Sequence, residues 1–65
     1  MTKPFVTYDA EVDAAYIRFS SQKVRDSEEV AQGIVLDYDE DGRIVGMEVL
    51  DAKRHLPNDV LTQAA

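Results

Sequence analysis

The run from Gly33 to Leu50 constrains this chain more than any other. Gly33-Ile34-Val35-Leu36-Asp37-Tyr38 and Ile44-Val45-Gly46-Met47-Glu48-Val49-Leu50 flank a short acidic break, Asp39-Glu40-Asp41-Gly42. From Asp37 to Glu48 the letters also satisfy the calcium-loop pattern D-x-[DN]-x-[DN]-G-x5-E. A loop of that kind folds its ligands around one ion between two helices. Here both flanks are β-branched and apolar, with glycine inside them, which favours strands over helices. A strand rises roughly 3.3 Å per residue, so Glu48 would lie about 20 Å beyond Gly42, out of reach of a shared ion. The sequence therefore reads as a β-hairpin with an acidic tip.

The facing pattern tests this hairpin. With Asp41-Gly42 as a two-residue turn, Tyr38 opposes Val45, Leu36 opposes Met47 and Ile34 opposes Val49, and all six share one apolar face. A three-residue loop sets Leu36 against Gly46 and Ile34 against Glu48, so an even-length loop is expected, with a glycine bulge as the complication. Asp37 and Glu48 then point away from the core. Gly42 is expected at a positive-φ position that resists β-branched replacement, and Asp39 is expected to be an exposed acid of little consequence.

An earlier block has the same form. Phe5-Val6-Thr7-Tyr8 precedes the acidic break Asp9 to Asp13, and Ala14-Ala15-Tyr16-Ile17-Arg18-Phe19 follows it. Alternation puts Ala15, Ile17 and Phe19 on the core side, and Asp9 can accept hydrogen bonds from the backbone of its own turn. Between the blocks, residues 20–29 are polar and read as a connecting loop with at most a short strand near Val24. Near the end, Asn58 is a candidate helix cap for residues 57–64, with Val60, Leu61 and Ala64 as an apolar stripe.

The expected fold is mostly β (α+β): one domain, 1–65, holding a four-stranded antiparallel β-meander built from two hairpins (5–19 and 30–52) and a short C-terminal helix (57–64). Strand order stays open, because the connecting loop reaches either edge. Val35, Ile44 and Leu50 fall on the face opposite the core, so the sheet needs two covers. The C-terminal segment supplies one and a second copy of the chain the other.

Size and charge narrow the function. A 65-residue chain buries only about 60% of the surface its unfolded form exposes, and a core of that size supplies rarely more than ~3–5 kcal/mol. With no cysteine and one histidine, neither disulfides nor thiolate or histidine-rich metal centres add to it. Self-association is the expected source of further stability. Thirteen acidic against seven basic residues give a net charge of −6, which repels nucleic-acid phosphates and suits a basic protein partner. The basic clusters Lys23-Val24-Arg25 and Lys53-Arg54-His55 are too short for a phosphate-binding stripe. No stretch has the length of a secretory core or of a membrane span, so a cytoplasmic protein is expected.

The segments Tyr8-Asp9-x-Glu11-x-Asp13-x-x-Tyr16-Ile17, Gly33 to Asp39 and Gly42 to Leu50, in this order and spacing, resemble domain-of-unknown-function family 2283, short bacterial and archaeal proteins, over roughly Phe5 to Ala52. The resemblance implies a small β-rich domain. It also hints at an antitoxin-like, partner-binding role, and it carries over no catalytic residues or cofactor.

No catalytic pattern is found in the residues either. His55 has no visible orienting partner, no strained nucleophile turn accompanies Ser20 or Ser21, and the three glycines form no phosphate cradle. The expected function is a non-enzymatic protein-interaction module, homodimeric, with Val6, Tyr8, Tyr16, Ile44 and Leu50 as interface candidates. Tyrosines serve such surfaces because they offer large contact area at low entropic cost. The alternative is a weak divalent-cation or small-ligand site at the acidic tip, through Asp37, Asp39 and Asp41.

Overall fold

The computed structural model describes residues 4–64, so both ends of the expected 1–65 domain lie outside the described residues. Five strands form one antiparallel sheet: β1 (Phe5–Asp9), β2 (Ala14–Arg18), β3 (Asp26–Ala31), β4 (Ile34–Tyr38) and β5 (Ile44–Leu50), in the spatial order β1-β2-β5-β4-β3. Two short helices follow, α1 (Ala52–His55) and α2 (Asn58–Thr62). The fold is mostly β with helices at its C-terminal end. It departs from the expected four-stranded meander in having a fifth strand, a second helix and a non-sequential order: β3, β4 and β5 run as a meander, and β2 returns beside β5. Strands β2 to β5 thus have Greek-key order.

The additional strand is β3, in the segment read as a loop. Its backbone pairs with β4, Glu28 opposite Leu36 and Glu29 opposite Val35, and Gly33 at φ 82° closes the turn between the two. All six β3 side chains are exposed. An edge strand with nothing to bury carries no alternation of apolar and polar residues, and charged residues on such an edge discourage pairing with other chains. Its signature was therefore missing from the hydrophobic pattern. The crossover from β2 to β3 passes the tip of the β4–β5 hairpin, where Phe19 and Ser20 N–H groups donate to the Val45 carbonyl and Arg25 N–H donates to the Tyr38 carbonyl.

The β4–β5 register agrees with the sequence, but by another route. Ile34 opposes Val49 and Leu36 opposes Met47. The loop is nevertheless odd: Asp39 N–H donates to Arg43 O at 2.9 Å and Gly42 N–H to Asp39 O at 3.1 Å, leaving Glu40, Asp41 and Gly42 at the tip. Left alone, that loop would turn Val49 and Met47 outward. A bulge restores the facing, since Asp37 pairs with Gly46 whereas Tyr38 pairs with Ile44, leaving Val45 as the extra residue. The expected Tyr38–Val45 pair is replaced accordingly.

The core lies between the sheet and the helices. Ala15, Val49, Ala52 and Leu61 are buried together, with Tyr8, Ile34, Met47 and Leu56 packed against them. Each fully buried Val or Leu side chain contributes ~1.5–3 kcal/mol, but two of these four are alanines, so the core is thin. Asp13 anchors the covering layer. It adopts φ 53°, its carbonyl accepts from Ala52 N–H at 3.0 Å, and its carboxylate accepts from Lys53 N–H at 3.2 Å. Asn58 does not cap a helix: Pro57 holds that position and no side-chain capping bond forms, Asn58 being the first helical residue.

Asp39 is also more than an exposed acid. Its Oδ1 accepts from Asp41 N–H at 2.9 Å and from Arg43 N–H at 3.0 Å. An added Cβ at Gly42 meets nothing within 4 Å, so only its φ of 80° opposes substitution. Asp39→Ala is therefore expected to destabilise by about 1 kcal/mol and Gly42→Val by about 1–2 kcal/mol. Urea midpoints for the two variants check this, and a neutral Asp39→Ala would refute the turn-capping role.

Candidate functional site

Both helices cover one face of the sheet. The other face follows from the register, because side chains alternate along each strand. One row across it runs Phe5, Arg18, Gly46, Asp37, Ser27, and the next runs Thr7, Tyr16, Glu48, Val35, Glu29. A third row holds Asp9, Ala14 and Leu50. No described helix lies over these residues, and Phe5 and Leu50 are 51% and 42% exposed.

The organising contact on this face is Tyr16 lying over Gly46. An added Cβ at Gly46 would collide with the Tyr16 ring and hydroxyl, and Gly46 is buried although its face carries no helix. A glycine in a strand interior costs stability, and an aromatic ring laid over it from the neighbouring strand restores burial. From there the Tyr16 hydroxyl donates to Asp37 Oδ2 at 2.6 Å. Ser27 Oγ donates to Asp37 Oδ1 at 2.6 Å, and Arg18 approaches the Tyr16 hydroxyl at 3.4 Å. The network ties β2, β4 and β3 together across β5. Desolvation, then the Asp37 hydrogen bond, raises the Tyr16 pKa above its ordinary 10.0, against a lowering effect of Arg18.

The five interface candidates are divided by the sheet. Tyr16 and Leu50 stand on the uncovered face. Tyr8 packs against the core on the helix side and donates to Asp13 Oδ1 at 2.7 Å, and Val6, two residues earlier on the same strand, shares its side. Ile44 lies beyond the bulge, paired with Tyr38 and 48% exposed. Phe5 and Arg18 join Tyr16 and Leu50 on the uncovered face and were not among the candidates, while Val35 and Glu48 stand there as the alternation of the hairpin requires. The joining of these two sets depends on the β2–β5 neighbour relation, which sequence left open.

The acidic tip does not bring its aspartates together. Asp37 is engaged by Tyr16 and Ser27, and Asp39 by its own turn, while Asp41 is exposed. Among the described residues no group of three or more His, Cys, Asp or Glu is placed to hold a metal ion. Asp39, Glu40 and Asp41 line a shallow cleft with Ser21, Gln22 and Lys23 of the crossover, so a lysine already shares that space. His55 Nδ1 lies 2.9 Å from Leu50 O and 3.2 Å from Asp51 O, and its proton is given to the backbone.

The structure thus defines a small two-layer α+β domain with an open sheet face. Residues 6–53 match the model of a protein family of unknown function, DUF2283, and the chain belongs to that family. No curated protein and no solved structure matches it. No helix among the described residues is long and apolar enough to cross a membrane.

Gly46→Ala is expected to destabilise the domain by about 1–3 kcal/mol through displacement of the Tyr16 ring, whereas in a Tyr16→Ala background the same change should cost little. Melting of the four members of this cycle measures the coupling, and additive effects would contradict the ring-over-glycine contact. The tyrosine network also carries a pH signature. A folded pKa above the unfolded 10.0 means that the contribution is fully present below pH 10 and is lost as pH rises through the folded value. Stability should fall above pH 10, and less steeply in Tyr16→Phe; equal slopes would contradict the assignment.

Proposed function

We propose that this chain is a non-enzymatic protein-interaction domain that buries its uncovered sheet face against a second copy of itself. The observation that carries this reading is the one-sided placement of the helices. It leaves Phe5, Leu50, Val35, Ala14 and the Tyr16 ring on a face that no other described element packs on.

The dimensions fit a reversible dimer. Five strands about 4.8 Å apart and about five residues long present a plane of roughly 24 by 17 Å, about 400 Å² in projection. Side-chain relief increases the accessible area, which places the pair near the low end of specific interfaces, below the ~1,600 Å² total of a standard one. Face-to-face packing of two sheets also suits rows that mix aromatic, aliphatic and small residues. A thin core on the helix side adds a reason for association, since any state that binds only the folded chain stabilises it.

Sedimentation at increasing concentration is expected to show reversible growth from the 7.3 kDa chain toward twice that mass within tens of micromolar. The melting temperature should rise in parallel, because association is linked to folding. A monomeric mass with a concentration-independent melt would overturn the reading.

A further inference from the structure

The charges on the uncovered face select one way of seating the second copy. Arg18 on β2 lies opposite Gly46, and Glu48 on β5 lies opposite Tyr16. The two are thus one strand apart, ~4.8 Å, and two residues apart along the ladder, ~6.8 Å. Among the described residues the one ion pair within 4 Å is Arg54–Asp51. Arg18 and Glu48 therefore stand on the same face with opposite charge and without each other. The Arg18 guanidinium is held toward that face by the Tyr16 hydroxyl and the Gln22 carbonyl, and Glu48 is exposed at the middle of the next row.

Resting on the dimer reading above, we infer that a two-fold axis lies parallel to the sheet, midway between Arg18 and Glu48, and that each Arg18 pairs with Glu48 of the other copy. A two-fold interface is self-complementary, so one such contact generates its twin. The same rotation has a second consequence. Carried across the axis on the strand spacing and rise, Phe5 at one corner of the face lands beside Ala14 and Leu50 at the far side of the other copy. The two exposed apolar side chains of the face, Phe5 and Leu50, thereby cover each other twice. Charge complementarity and apolar complementarity are met by one operation.

Other acids on the face constrain the arrangement without blocking it. Asp9 and Glu29 fall beyond the edge of the opposing sheet. The two Asp37 carboxylates approach each other near the axis, each already accepting from the hydroxyls of Tyr16 and Ser27. Two Arg18–Glu48 pairs oppose that single like-charge pair. In the opposite case, a shifted dimer would leave Glu48 buried against apolar side chains without a cation, which is costly.

A charge-swap mixture tests the seating. Arg18→Glu and Glu48→Arg each create two like-charge contacts in their own homodimers, and each is expected to weaken self-association at least about tenfold. Mixed in equal amounts they restore both pairs across the interface, and native mass spectrometry should show the mixed dimer in excess over either homodimer. Pairing within a chain cannot give that result, because neither chain holds both signs. As a second measurement, independent of how position 18 folds, the cysteine-free chain is given Phe5→Cys in one preparation and Leu50→Cys in another. A short bis-maleimide that spans the ~10 Å between face-packed sheets should cross-link the mixture in preference to either variant alone. A wild-type dimer that persists unchanged in both charge reversals, or that cross-links equally in all combinations, overturns the seating and leaves the dimer reading intact. A wild-type chain that stays monomeric overturns both.

Discussion

Everything in this fold depends on the register between β4 and β5. The hairpin tip is an odd-length loop, which by itself would rotate β5 so that Gly46 and Glu48 faced the helices. The single-residue bulge at Val45 cancels that rotation. Val45, Met47 and Val49 are thereby directed to the core, Val45 and Val49 being almost fully buried. Gly46, Glu48 and Leu50 are committed to the opposite face by the same step. A slip of one residue would exchange the two sets completely, because the side-chain period of a strand is two.

With the register set, Gly46 becomes the low point of the uncovered face, and Tyr16 fills it. The consequence reaches beyond local packing, since the hydroxyl thereby arrives at Asp37 on the next strand but one, and Asp37 in turn holds Ser27 of the edge strand. The edge strand β3 has no buried side chain of its own, so it is held by its ladder with β4 and by this network. On the other face the equivalent tie is Asp13, whose left-handed backbone and carboxylate bring the β1–β2 turn to the start of α1. The two faces are therefore stabilised differently. The helix side is a small apolar cluster, and the other side is a polar network bordered by Phe5, Leu50 and Val35.

Much of this was legible in the residues. The apolar face of β4 and β5, the inward facing of Ala15 and Ile17, the Asp9 turn and a C-terminal cover all follow from alternation, turn chemistry and the length of the chain, and the family was recognisable from the order and spacing of its segments. Phe19, expected on the same side as Ala15, instead lies past the end of β2 and is 38% exposed. Three features were not legible, each for a physical reason. β3 buries nothing and so leaves no periodic trace. The bulge and the odd loop compensate, so the facing pattern could not distinguish them from an even loop. The Tyr16–Gly46–Asp37 contact requires β2 beside β5, a long-range choice that local sequence does not encode. The expected interface residues were drawn from both faces for a separate reason, the β1–β2 register: Tyr8 pairs with Ala15 on the core side and Tyr16 with Thr7 on the other.

The uncovered face as the site of association is the claim that matters most for function, and amide chemical shifts followed through a dilution series address it residue by residue. Backbone signals of Phe5, Tyr16, Arg18, Glu48 and Leu50 are expected to move together, with one apparent dissociation constant, while those of Ala52 and Leu61 under the helices stay still. Shifts confined to the helix side, or to the acidic tip around Asp39 and Asp41, would contradict the account and move the working surface elsewhere on the molecule.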